Sequence, residues 1–99
     1  DWRRTGVTGV CAFNDDLALG LLHAARSMGL AVPVDLAVVG VDNVPWGALS
    51  EPPLTTVAPD PEQIGAVVTG QVLRGLGIET DHPTRVASTF ISLIVRDSG

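Results

Sequence analysis

Apolar positions along the chain change their period several times, and each change marks an element. Residues 7–13, VTGVCAF, form a β-branched and aromatic run that stops at the polar Asn14-Asp15-Asp16, as a strand does when it feeds a helix. From there the period lengthens. Leu17, Ala18, Leu21, Ala24, Ala25 and Met28 recur at helical spacing, Asn14 or Asp15 can cap the start, and Gly29 can take the left-handed conformation at the end. The spacing predicts a helix over 15–28 with those six residues facing the core. After the short link LAVPVD, residues 36–41, LAVVGV, make a nearly continuous apolar run of the kind found in a parallel strand covered on both faces. Strand, helix and strand at this spacing give a right-handed βαβ unit, and hence an α/β fold with a parallel sheet.

The second half is less regular. Residues 43–53, NVPWGALSEPP, hold three prolines and a glycine and predict a long loop with at most one helical turn. A short extended stretch, LTTV at 54–57, leads out of it. Asp60-Pro61-Glu62-Gln63 then combines a cap, a proline at the first helical position and a glutamine three residues after the cap. This helix runs to about Leu76, with Ile64, Val68 and Val72 as its apolar stripe and Gly75 and Gly77 ending it. Residues 86–95 read as a last strand, followed by a frayed RDSG tail.

Composition narrows the class. Ninety-nine residues, 45% of them hydrophobic, supply one compact core and too little chain for two independent domains. The run begins at Asp1 and enters a strand almost at once, which leads us to expect a piece of a longer chain. The net charge is -5 and the six basic residues are scattered, whereas a phosphate backbone needs concentrated positive charge, so direct DNA contact by this segment is not expected. The single Cys11 cannot pair internally and lies in an apolar run, where it reads as a small hydrophobe in a reducing, cytoplasmic setting. The apolar runs fall far short of the ~20 residues a bilayer span requires, so no membrane partner is expected.

Ligands of an open parallel sheet bind beyond the carboxyl ends of its strands. Asn14 and Asp42 both fall there, one after each strand of the βαβ unit. A carboxylate accepts hydrogen bonds from adjacent hydroxyls and a carboxamide both donates and accepts, so the pair suits a polyhydroxylated ligand such as a sugar. Equally, Asn14 can cap the helix and Asp42 can open the following turn. Leu19 and Leu22 fall opposite the assigned core face of the first helix, alongside His23 and Arg26, and suggest a partner surface. Trp46 and Leu49 sit in the proline-bounded loop, where Trp46 can stack on a sugar or anchor a subunit contact; we favour the contact. His23 and His82 have no local nucleophile or metal-ligand spacing, and Cys11 lies inside a strand, so no catalytic or metal site is indicated. No glycine-rich phosphate loop opens the first helix, so no nucleotide cofactor is expected.

The blocks CAFNDDLALGLLHAARSMGLAVPVDLAVVGVDN, SEPPLTTVAPDPEQIG and SLIVRDSG, in that order, resemble the end of the effector-binding region of the lactose/galactose repressor family, from about Val7 to Gly99. The resemblance implies a fragment of a two-lobed, periplasmic-binding-protein-like (type I) fold. It further implies a sensory segment rather than an enzyme, with the operator-reading helix-turn-helix outside this chain. Residues 1–57 and 86–99 would belong to the C-terminal lobe, and the helix at 60–77 would pack on the N-terminal lobe. Asn14 and Asp42 match positions that commonly contact a small effector, a sugar or related polyol first and a purine second. The helix around Leu19 and Leu22 and the loop with Trp46, Leu49 and Ser50 match a homodimer surface. Three departures touch the effector's identity. Ala58-Pro59 replaces a polar reach into the cleft, Pro61 stands where a larger group is frequent, and Asn43 follows Asp42 where a second acid is common. A periplasmic sugar-binding protein of a transport system is the competing expectation.

Overall fold

The computed structural model describes residues 2–99, apart from the side chain of Arg3. In chain order the elements are α1 (Trp2–Thr5), β1 (Gly9–Cys11), α2 (Asp15–Ser27), β2 (Ala37–Val41), a 3-10 helix (Pro45–Leu49), β3 (Thr55–Pro59), α3 (Pro61–Gly75) and β4 (Ile91–Ile94). Among the described residues these strands form a four-stranded sheet in the order β1-β2-β3-β4. β1 and β2 run parallel, as do β2 and β3, so the βαβ expectation holds. The first strand is shorter than its apolar run, because Ala12 adds only one further ladder bond, to Val39 O at 2.8 Å, before the chain turns.

By contact the chain forms two units, residues 1–58 with 93–99 and residues 59–92; β3 carries it out of the first and β4 brings it back. The core of the first unit is Ala12, Ala18, Leu22, Ala25, Leu36, Val38 and Leu54, with Val10, Leu19, Leu21, Leu30 and Val32 packed around it. This corrects part of the face assigned to α2: Ala18, Ala25 and Leu21 do lie at the core, Leu22 joins them, and Leu17 and Met28 do not. Leu22 is only 5% exposed, whereas Leu17 and Met28 are 57% and 61% exposed. The buried stripe is Asp15-Ala18-Leu22-Ala25, spaced three, four and three residues apart, and that spacing returns to one helical face each turn. Leu22 is therefore a core residue and not part of an outward-facing partner surface, and Leu19 is half-buried against the same core.

The chain's last residues also differ from expectation. The RDSG segment is not frayed: Ser98 is fully buried, its Oγ donates to Val38 O at 2.7 Å and accepts from Thr55 N at 2.8 Å, and its carbonyl accepts from Val38 N at 2.7 Å. One serine thus supplies the hydrogen bonds that the starts of β2 and β3 would otherwise lack.

In the second unit, α3 starts at the predicted cap. Asp60 accepts from Glu62 N and Gln63 N at 3.0 and 3.1 Å, and its other oxygen accepts from Gln63 Nε2 at 2.9 Å. The bonds from Gln63, backbone first and side chain second, hold the Asp60 carboxyl below its ordinary range. The apolar stripe read from the sequence is not what this unit buries. Ile64, Val68 and Val72 are 37%, 52% and 55% exposed, while Val67 and Gly70 are buried. A side chain at Gly70 would overlap the Pro83 carbonyl, so glycine is what lets residues 82–83 lie against the helix.

The two α2 faces make a direct test. In urea unfolding, Leu22→Ala should lower stability by about 3 kcal/mol, the range for emptying a core leucine site, and Leu17→Ala by less than about 1 kcal/mol. Equal effects would return the core to the other face.

Candidate functional site

The carboxyl ends of β1 and β2 lie at matching heights. The pairing of Cys11 with Val39 leaves both Asn14 and Asp42 three residues further on, so the two polar residues project from one edge of the sheet. Each is shaped by its local backbone. Asn14 is extended (φ -151°, ψ 174°) and caps α2, its Oδ1 accepting from Leu17 N at 2.9 Å. The capping reading is therefore realised, and it occupies only the oxygen: the Asn14 amide nitrogen has no partner among the described residues. Asp42 is exposed at φ +107°, and its carboxylate has no hydrogen bond or ion pair among the described residues. Phe13, just before Asn14, is 85% exposed, an aromatic side chain beside a polar edge. Cys11 is likewise exposed at the end of β1 rather than enclosed within it.

The segment carrying Asp42 is held from beneath by a buried carboxylate. Asp15, with no exposed surface, accepts from Thr56 Oγ1 at 2.6 Å and from Val44 N at 2.8 Å. Thr56 Oγ1 in turn accepts from Asn43 N at 3.3 Å, and Val57 O accepts from Asp42 N at 2.9 Å. Three consecutive amides, 42 to 44, thus each have a separate partner. Such over-determination is what holds Asp42 and Asn43 (φ +55°) in the left-handed half of backbone space, where non-glycine residues cost on the order of 1–3 kcal/mol each. Gly40 makes room for the arrangement, since a Cβ there would overlap Asp15 Oδ1 and meet Leu54 Cδ2 at 3.1 Å. From the other side Arg96 donates to Asn43 Oδ1 at 2.9 Å and to Leu54 O at 2.7 Å. Sequence reasoning missed Asp15, Thr56 and Arg96. The legible trace was the glycine inside the apolar run of β2, the usual mark of something approaching a strand closely.

On the 3-10 helix, Trp46 is 54% and Leu49 85% exposed. Ser50 is half-buried, and its Oγ lies 2.8 Å from the carbonyls of both Gly47 and Pro52, so its hydroxyl serves its own turn. His23 and His82 are exposed. An apolar groove of about 210 Å³ is lined by Trp2, Leu21, Ala24, Ala25, Met28, Leu30 and Leu36. Among the described residues no group of three or more His, Cys, Asp or Glu could hold a metal, and no helix is long and apolar enough to cross a membrane.

Residues 2–99 match a family model described as a periplasmic binding protein-like domain. In sequence the chain is 34% identical over 91 residues to the HTH-type transcriptional repressor PurR of Vibrio vulnificus, covering 92% of this chain and 27% of the repressor. The transcriptional regulator CelR, solved in complex with cellobiose, superimposes with a TM-score of 0.77 at 37% identity, over 94% of this chain and 28% of that one. A LacI family transcriptional regulator from Lactobacillus casei with bound sucrose gives a TM-score of 0.75 at 29% identity, over 93% of this chain and 33% of that one. The chain spans about a quarter of the length of the relatives it matches in sequence. All three of these relatives are regulators of transcription.

Two adjacent aspartates allow the buried network to be checked against its neighbour. Asp15→Ala strands a buried hydroxyl and a partly buried amide and should cost about 3 kcal/mol in urea unfolding, whereas Asp16→Ala, at an exposed position, should stay within about 0.5 kcal/mol. Similar losses from both would mean that the carboxylate acts only through the helix end.

Proposed function

The chain belongs to the periplasmic-binding-protein-like domain family, in the LacI-type regulator form of that fold, and on that premise we propose that it senses a small effector for a bacterial transcriptional regulator. The observation that carries this reading is the common sheet edge at which Asn14 and Asp42 stand in matching register, both with unsatisfied polar groups. An acceptor pair on Asp42 and a donor pair on Asn14 complement vicinal hydroxyls, which act as donor and acceptor at once. Phe13 adds an apolar ring face of the sort that sugar rings lie against. A neutral sugar or related polyol is therefore the preferred effector, and the sugars held by the solved relatives support the same class.

In the complete regulator, effector binding would favour one arrangement of the two lobes and so alter the affinity of a separate helix-turn-helix for operator DNA, a shift of populations rather than a reaction. The relatives' roles in transcription favour this over sugar transport and point to the cytoplasm. The division of the chain at residues 59–92 suits a helix, α3, that leaves the C-terminal lobe to pack on the other one, with its exposed Ile64, Val68 and Val72 turned to that partner. A homodimer would use the exposed Trp46 and Leu49, with Leu19 and Ser50 at its margin; Leu22 is withdrawn from that surface by its burial.

Calorimetry on the full-length regulator with glucose, sucrose, lactose and cellobiose tests the effector reading. One of these should bind, and Asp42→Ala should weaken it at least about a hundredfold, the weight of two hydrogen bonds to a charged group, without loss of folding or of operator binding. Unchanged affinity in that variant would overturn the assignment. For the dimer, Leu49→Asp should shift the sedimentation velocity profile of the full-length protein toward monomer, and an unaltered profile would remove Leu49 from the interface.

A further inference from the structure

We propose that Asn43 is a second ligand-contacting residue of this edge, a hydrogen-bond donor whose orientation is set by Arg96; the inference rests on the effector reading above. A guanidinium has donors only, so the group it faces across 2.9 Å on Asn43 must be the oxygen. With Oδ1 committed to Arg96, the Asn43 NH2 is turned away from the guanidinium, and it has no partner among the described residues. Arg96 is itself fixed. Its other terminal nitrogen donates to Leu54 O at 2.7 Å and its backbone N donates to Thr55 Oγ1 at 2.9 Å, so the planar fork is anchored on β3 before it reaches Asn43. The Asn43 backbone is fixed too, between Asp42 N on Val57 O and Val44 N on Asp15.

The same rule governs the other carboxamide of the edge. The oxygen of Asn14 is committed to Leu17 N, so this residue also offers only its NH2. The edge therefore presents two amide donors around one carboxylate acceptor, and the flip ambiguity that an isolated asparagine carries is resolved twice over by internal bonds. A ligand that satisfies all three must accept at two points and donate at a third. Neutral polyols do this with neighbouring hydroxyls, whereas a ligand whose only polar group is an anion would face the Asp42 carboxylate unfavourably. An aspartate at position 43 would keep the bond to Arg96 as an ion pair and present no donor at all, so the residue type at 43 sets which hydrogen-bond pattern the edge reads. Arg96 acts through Asn43 and is a positioning residue.

Asn43→Asp separates the two roles, because it tolerates φ +55°, preserves the grip on Arg96 and removes only the donor. In the full-length regulator, with the sugar of the four-member panel that the unaltered protein binds, it should retain the melting temperature and lose affinity about five- to tenfold, the weight of one hydrogen bond. Arg96→Met should weaken the same sugar several-fold, and in an Asn43→Gly background it should cost no further affinity. If Arg96→Met does not fold, the Asn43→Asp result decides alone. Wild-type affinity in Asn43→Asp, or additive losses in the Arg96 cycle, would overturn the proposal while Asp42→Ala still abolishes binding. Normal binding by Asp42→Ala would instead count against the effector reading itself.

Discussion

One buried carboxylate organises the first unit. Asp15 begins α2, yet its side chain turns inward to bind Thr56 of β3 and the amide of Val44 after β2, so a helix, a strand and a loop are joined at one buried side chain. Burying such a group is costly unless its oxygens are satisfied, and here each has a short, well-placed donor. Gly40 and Asp15 are interdependent on this account: the strand gives up a side chain so that the helix can insert one. Apolar packing around Ala18, Leu22, Leu36, Val38 and Leu54 supplies the bulk of the stabilisation but has no preferred angle. The carboxylate has direction, and it fixes how far α2 can slide along the sheet.

On the proposed effector reading, that rigidity is what would make the edge usable. A residue such as Asp42, in an uncommon backbone conformation and with an unpartnered charge, would relax if its loop could move. Three consecutive amides tied to Val57, Thr56 and Asp15 prevent this, and Arg96 holds the next side chain. The polar groups are thus set before any ligand arrives, which reduces the ordering cost of binding.

Much of this was legible along the chain. The strand, helix and strand order followed from the change of apolar period, and the shared edge of Asn14 and Asp42 followed from two strands ending in step. What could not be read was any polar group whose worth depends on distant partners. Asp15 looked like a cap because nothing local reveals Thr56 or Val44, and without it the buried stripe of α2 could not be centred on Ala18, Leu22 and Ala25. Arg96 and Ser98 looked like an idle tail for the same reason. On α3 the apolar stripe of Ile64, Val68 and Val72 was legible as a pattern, and its 37%, 52% and 55% exposure shows that periodicity alone does not say what an apolar face packs against.

The burial of Ser98 has a consequence for how the molecule comes into being. Its hydroxyl closes the seam at Val38, 60 positions earlier in the chain, and no residue nearer by replaces it. During synthesis the first two strands and their helix emerge well before that hydroxyl does, and the loop that must be drawn shut to deliver it includes the entire excursion through α3. Contacts of this span are slow to form. A ribosome-bound intermediate therefore carries a sheet whose middle stays unsealed until residue 98 has been made and has emerged.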